Sequence, residues 1–224
     1  MHAKQHKAGA KSGLTLLQNI PMFAGLPDTQ LEQISRMAVS RKVARNTTIV
    51  YVGDSTDSLF VIVSGSAKVM NRDAEGNEVI LCFLNEGECF GEMGLIDGSP
   101  RSADVVASEA CELLVIAKAD LMKALAENLD LCLNIMKSLV LRLREANRKI
   151  ESLALMDVYG RVAKLLLDFS EKENGIRVIR RKITKQDMAK MVGASREMVS
   201  RVMKDLERSG YIRVEAGQIF LNED

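Results

Sequence analysis

From Asp120 onward the apolar residues of this chain fall into a helical period and hold it for about 35 residues. Within that run Cys132, Met136, Leu139, Leu143, Ala146, Ile150 and Leu153 alternate spacings of four and three. This is an a/d heptad seam, flanked by Arg142, Arg144, Glu145, Arg148, Lys149 and Glu151. A helix over residues 129–155 is expected to be about 40 Å long at ~1.5 Å per residue. A helix packed on its own domain ordinarily shows a broader apolar face. The narrow stripe instead favours a parallel coiled coil between two copies of the chain, with one folded unit before the helix and one after it.

Ahead of the seam the pattern is different. Leu16 to Ile20 reads as a short helix, Pro21 to Asp28 as a turn, and Leu31, Ile34, Met37 and Ala38 as a second helix. From residue 41 to 116 short β runs follow one another at 48–52, 59–63, 67–70, 79–84 and 111–116. Turn residues such as Gly53-Asp54, Ser64-Gly65 and Glu86-Gly87-Glu88 separate them. Regular short strands with glycine turns indicate a sandwich or barrel, here a small β-roll.

Residues 90–103, FGEMGLIDGSPRSA, interrupt the strand series. Gly91 and Gly94 allow backbone N–H groups close to a ligand. Residues 95–101 read as turn, with Gly98 and Pro100 reversing the chain. Arg101 and Ser102 then set a fixed positive charge beside a hydroxyl. Turn N–H groups form an anion-binding concavity, and a guanidinium grips phosphate bidentately. Glu92 repels phosphate but accepts well from a sugar hydroxyl, so acid, Arg and Ser together suggest a phosphorylated nucleoside. By residue type alone, a glycine-rich turn with an exposed Arg–Glu pair fits equally well.

After the seam, Met156 to Arg161 ends the helix, with Asp157 capping the next one from Val158 to Phe169. Residues 170–175 read as a polar turn and 176–179 as a strand. Thr184 and Asp187 form a capping-box-like start, Gly193 breaks that helix, and Ser195 caps the next. A small residue at Ala189, Gly193 four later and Val199 six beyond match the packing of a helix-turn-helix. Two further strands, at 211–214 and 218–221, complete a winged form. The second helix presents Arg196, Glu197, Ser200 and Arg201. Arg bonds guanine O6 and N7, and Glu accepts from cytosine N4. Lys185, Lys190 and Lys204 are phosphate-contact candidates.

FGEMGL…PRSA resembles the phosphate-binding cassette of the cyclic-nucleotide-binding domain, and its context resembles the bacterial Crp/Fnr transcription regulators from about Leu16 to Leu221. The basic, Gly/Ala-rich residues 1–13 read as a disordered tail, and for the rest the resemblance implies an α+β fold: a cyclic-nucleotide-binding β-roll at 14–120, a long dimerisation helix at 121–156 and a winged helix-turn-helix at 157–224. It implies ligand contacts at Gly91, Glu92, Met93, Arg101, Ser102 and Ala103, with Glu92 on the ribose and Arg101 and Ser102 on the phosphate. The effector is expected to be cyclic AMP, with cyclic GMP or a cyclic dinucleotide as alternatives. Aligned on LALMDVYGR, the adenine-contacting Thr-Ser pair of the catabolite-activator branch falls on Ala146-Asn147, and only Asn147 can hydrogen-bond. SREMVSRVM resembles that branch's recognition helix, implying a palindromic TGTGA-like site in double-stranded DNA; Ser200 matches the redox-regulator branch instead. The implied partners are a second copy and RNA polymerase.

Charge supports this division. The chain carries a net charge of +1, yet residues 14–156 hold 14 Lys+Arg against 19 Asp+Glu, while 176–214 hold 11 against 4. A basic segment on a near-neutral chain is the footprint of nucleic-acid binding. No apolar run approaches the ~18 residues of a membrane span. The basic N-terminus has no apolar segment behind it, so a cytoplasmic protein is expected. Cys82, Cys89, Cys111 and Cys132 lack metal-ligand spacing and read as buried reduced thiols; the two histidines, His2 and His6, sit in the tail. A redox- or gas-sensing regulator of the same fold and a cyclic-nucleotide-regulated enzyme or channel subunit are the rival readings. Against enzyme activity, no nucleophile–base set is visible.

Overall fold

The computed structural model describes residues 17–222 apart from Asn19, Asn174, Lys182 and Ala216. The tail at 1–13, the helix start at Leu16 and both histidines lie outside the described residues. The described chain divides into two compact units. One runs to Glu75 and from Leu81 to Leu143; the other holds Gly76–Ile80 and continues from Arg144.

The first unit opens with a single 3-10 turn, Pro21–Phe23, and helix α1, Asp28–Met37. Eight strands follow: β1 Val39–Val43, β2 Thr48–Val50, β3 Ser58–Ser64, β4 Ala67–Arg72, β5 Glu78–Leu84, β6 Cys89–Phe90, β7 Asp104–Ala107 and β8 Cys111–Ala117. They build two four-stranded sheets, ordered β1-β8-β3-β6 and β2-β7-β4-β5. Strand β3 shows why. Its alternate residues Phe60 and Ile62 enter a cluster with Ile49, Ala67, Leu84, Phe90, Val105 and Leu113 in the roll interior. Leu59 and Val61 point the other way, into a cluster with Phe23, Leu31, Ile34, Leu121, Leu131 and Ile135 from the helices. A strand buried on both faces reads as a continuous apolar run, as LFVIV does. Full burial of each such side chain contributes about 1.5–3 kcal/mol.

The loop after β6 departs from the turn expected over 95–101. Met93–Asp97 forms a short helix, α2, closed by Gly98 at φ 77°. Leu95 is buried in the helix-side cluster, and this anchoring favours a helical turn where Gly98 and Pro100 alone suggest a loop.

The helical stretch from Asp120 is also interrupted. Helix α3, Lys118–Glu127, ends at extended Asn128, whose Oδ1 accepts from Leu131 N at 3.1 Å and starts helix α4, Leu129–Leu155. An apolar period runs on through a one-residue break, so spacing alone does not reveal it. Along α4 the seam is shared between two faces. Leu139 packs against the helix-side cluster, and Cys132 Sγ donates to Leu125 O at 3.3 Å. Met136, Val140, Leu143, Ile150 and Leu153 are among the exposed apolar positions of the helix, as are Leu129, Leu133, Leu141 and Leu155, and Asn147 is exposed between Leu143 and Ile150.

In the second unit α5, Val158–Phe169, is capped by Asp157, whose Oδ1 accepts from Gly160 N at 2.8 Å. Helices α6, Lys185–Val192, and α7, Arg196–Arg208, pack on it through Val162, Leu166, Ala189, Val192, Val199, Val202 and Leu206. A four-stranded sheet, β11-β12-β10-β9, uses β9 Glu171–Glu173, β10 Ile176–Ile179, β11 Ile212–Glu215 and β12 Gln218–Leu221. Strand β9 corrects the polar turn read over 170–175. Its charged residues give no apolar alternation because it is an edge strand, where charge is favoured; it pairs with β10 and its Glu173 binds Arg180. No helix among the described residues is long and apolar enough to cross a membrane.

Candidate nucleotide pocket and nucleic-acid interface

Strand β6 delivers the chain to Gly91, at φ 83°. A Cβ there would stand 2.1 Å from Arg101 Nη1, so only glycine leaves room for the guanidinium. Arg101 is 7% exposed and donates through Nη1 to Gly91 O at 2.8 Å and through Nη2 to Ser58 O at 2.7 Å. It lies 5.6 Å from the centre of the Phe60 ring, which stacks on Phe90, and 3.7 Å from Asp57 Oδ1. Burial pulls its pKa below the ordinary guanidinium value, with Asp57 and Glu92 opposing that shift. Its backbone is fixed too: Arg101 N donates to Asp54 O at 2.9 Å, and Gly53 N donates to Arg101 O at 2.8 Å. The loop is therefore a preformed cradle with its cation locked in place.

Glu92 is 3% exposed at the start of α2. Its Oε1 receives Arg142 Nη1 of α4 at 2.5 Å, and Arg142 Nη2 reaches the Cys89 carbonyl. Burial disfavours the Arg142 charge, but neighbouring acids led by Glu92 outweigh it and its pKa is raised. Burial, reinforced by Glu92, pushes the Cys89 thiol up to about 12, so it stays protonated at neutral pH. Ser102 is exposed beside Arg101, Ala103 is buried, and the Met93 side chain lies on the surface. The structure thus joins Gly91 to Arg101 directly, while Glu92 meets a residue the sequence reading placed only among the charges flanking the seam. A buried acid needs a cation; that requirement was the available signal for Arg142.

In the second unit Thr184 Oγ1 accepts from Asp187 N at 3.0 Å, and Ser195 Oγ accepts from Met198 N at 3.1 Å. Gly193 takes the left-handed conformation, φ 62°, between α6 and α7, and Val199 is fully buried. Arg196, Glu197 and Arg201 are exposed on α7, as are Lys185 and Lys204 nearby. Ser200 is half-buried and accepts from Lys185 Nζ at 3.3 Å. Lys190 is half-buried in an ion pair with Glu78.

Residues 40–128 match the cyclic nucleotide-binding domain model, and residues 160–223 match the Crp-like helix-turn-helix domain. The chain is 38% identical over 184 residues to the cAMP-activated global transcriptional regulator Vfr of Pseudomonas aeruginosa, covering 78% of this chain and 85% of Vfr. It is 34% identical over 200 residues to the cAMP-activated global transcriptional regulator CRP of Escherichia coli O157:H7, covering 85% of this chain and 94% of CRP. Among solved structures, the c-di-GMP-responsive global regulator CLP of Xanthomonas campestris superposes with a TM-score of 0.75 at 26% identity, over 88% of this chain and 100% of that one. The Thermus thermophilus catabolite activator protein gives 0.55 at 30% identity, over 91% and 94%. The relatives are transcription regulators, not enzymes. A β-roll with this cradle, followed by a long helix and a winged helix-turn-helix, places the chain in the Crp/Fnr family of transcription regulators.

Proposed function

We propose that this chain is a homodimeric regulator in which a cyclic nucleotide in the β-roll controls binding of a palindromic DNA site. The observation carrying this reading is the preorganised Arg101, a buried guanidinium held on two carbonyls beside a left-handed Gly91. An anion binds such a fixed donor without reorganisation cost. Arg101, the Ser102 hydroxyl and the backbone of Gly91, Met93 and Ala103 take the cyclic phosphate, and Glu92 takes the ribose hydroxyl, with Arg142 holding its carboxylate. Cyclic AMP is the first candidate effector, because Vfr and CRP are described as cAMP-activated; cyclic GMP and cyclic di-GMP are the alternatives.

Asn147 lies five residues beyond Arg142 on α4, about 140° around a helix of 3.6 residues per turn. It therefore faces away from the Arg142–Glu92 side and reads a base only from a second copy's helix. It also stands next to the seam residue Ala146, at four-three spacing with the exposed Val140, Leu143 and Ile150, where an Asn covered by a second helix fixes register. Arg196, Glu197, Ser200 and Arg201 read base edges of a TGTGA-like half-site, and Lys185 and Lys204 hold phosphates. RNA polymerase is the downstream partner and the cytoplasm the compartment.

Calorimetric titration with cyclic AMP, cyclic GMP and cyclic di-GMP, on the wild type and on Ser102→Ala, tests the nucleotide assignment. Ser102 is exposed, so its truncation spares the fold, unlike Arg101→Ala, which orphans two carbonyls. Micromolar or tighter binding of one ligand is expected. A hydrogen bond to a charged group contributes about 1.5–3 kcal/mol, so Ser102→Ala should weaken binding by roughly tenfold or more. A wild type that binds none of the three overturns the reading.

A further inference from the structure

Strand β4 carries an amide in an apolar setting. Ala67, Val69 and Asn71 share one side of the strand, since successive side chains alternate. Ala67 and Val69 pack in the roll interior, so Asn71 is a polar side chain on that inner face. The pairing of Met70 with Asp104 puts Asn71 at the level of Ala103, at the end of the cradle loop. Its Nδ2 donates to Ser102 O at 3.4 Å. This contact fixes the amide orientation, because a flipped amide would set Oδ1 against the carbonyl oxygen. Oδ1 is then left buried with no hydrogen-bond partner. Buried acceptors are almost always paired, and an orphan beside a binding loop has a missing donor to explain.

The nature of that donor follows from the ligand class. In a purine 3′,5′-cyclic nucleotide the phosphate only accepts, and the 3′ and 5′ oxygens are esterified. The 2′-hydroxyl goes to Glu92, whose carboxylate is the stronger acceptor. The donors that remain are N–H groups of the base. We propose that Asn71 is a base-selecting residue, its Oδ1 accepting from an exocyclic amine of the bound purine. This rests on the cyclic-nucleotide reading of the Arg101–Ser102 loop. It makes the pocket discriminate against a base that lacks an amine, since a site built to receive a donor is left with an unpaired group by the analogue without one.

The test measures affinities for cyclic AMP, with its 6-amine, cyclic GMP, with its 2-amine, and the 3′,5′-cyclic monophosphate of purine riboside, which has neither. The proteins are the wild type and Asn71→Leu. The wild type should bind the preferred amine-bearing nucleotide at least about tenfold more tightly than the amine-free one. Which of the two is preferred identifies the amine. In Asn71→Leu that ratio should fall below about threefold through loss of the amine-bearing ligand alone. The wild-type comparison needs no variant, so a poorly folding Asn71→Leu leaves the idea exposed. A wild type with no preference, or a ratio unchanged by Asn71→Leu, overturns the role of Asn71 while the pocket assignment stands. A wild type that binds none of the three ligands overturns both.

Discussion

At the scale of single residues, the cradle depends on two glycines with different physical reasons. Gly91 is needed for its φ of 83° and for the space its missing Cβ leaves to Arg101. Gly94 has ordinary helical backbone, but a Cβ there would stand 2.2 Å from Ser99 O and 2.5 Å from Thr56 Oγ1. Gly91→Ala should expel the guanidinium and reduce nucleotide affinity by at least about tenfold, as loss of a charge-assisted contact implies. Gly94→Ala should instead cost about 1–3 kcal/mol of stability by overpacking. Calorimetry and thermal melts on both variants separate the effects; Gly94→Ala at wild-type stability would contradict the tight fit. Cys89 and Cys111 lead to a second expectation. Burial raises both thiols, Cys89 to about 12, so native protein at pH 8 should carry iodoacetamide label on neither, and unfolding should expose both. Peptide mass mapping reads this directly, and rapid labelling of native Cys89 would refute its burial. The contact between Gly91 and Arg101 lies within a dozen residues, so the loop was legible in the sequence as one unit. The contacts of Arg142 with Glu92 and of Asn71 with Ser102 were not, because each forms only when a distant helix or strand reaches the loop.

At the scale of elements, the long helix was legible in its period but not in which face does what. Heptad spacing assigns Leu139 and Leu143 to one seam; the structure packs a half-buried Leu139 against Leu131, Ile135 and their neighbours and leaves Leu143 at 61% and Ile150 at 64% exposure. The physical reason is that one α-helix has room for two stripes, and apolar residues at adjacent positions such as Leu139 and Val140 lie on different faces. The two faces should respond differently to substitution. Leu143→Glu with Ile150→Glu should give a folded monomer on sedimentation, with the melting temperature of the isolated chain. Leu139→Ala should leave association unaffected and cost about 2 kcal/mol, the low end for a buried leucine. A dimeric double Glu variant would rule out the exposed stripe as the interface. Strand β9 and the break at Asn128 escaped the sequence reading for similar reasons: an edge strand needs no apolar pattern, and a one-residue break leaves the apolar period unchanged.

At the scale of the whole molecule, the proposed homodimer makes affinity for DNA a product of two modest half-sites, with the long helix deciding whether they act together. In that proposal each α7 offers its exposed Arg196, Glu197 and Arg201 to one half-site, and a good bidentate contact discriminates by only about 1–3 kcal/mol. Two copies joined along α4 convert the second half-site into an intramolecular encounter, which raises affinity by about 10²–10⁴ without any new contact. Arg196→Ala in the dimer should therefore relax preference at one base pair in each half-site while keeping the salt slope. The monomeric double Glu variant should keep its base preference and lose about 10² or more in affinity for the full palindrome. Fluorescence anisotropy over a series of salt concentrations, on a palindrome and on a single half-site, distinguishes the two losses. For the wild type the palindrome should win by the intramolecular factor; for the monomer both duplexes should bind alike. If the monomer retained the wild-type preference for the palindrome, the pairing of half-sites would have to arise from something other than α4.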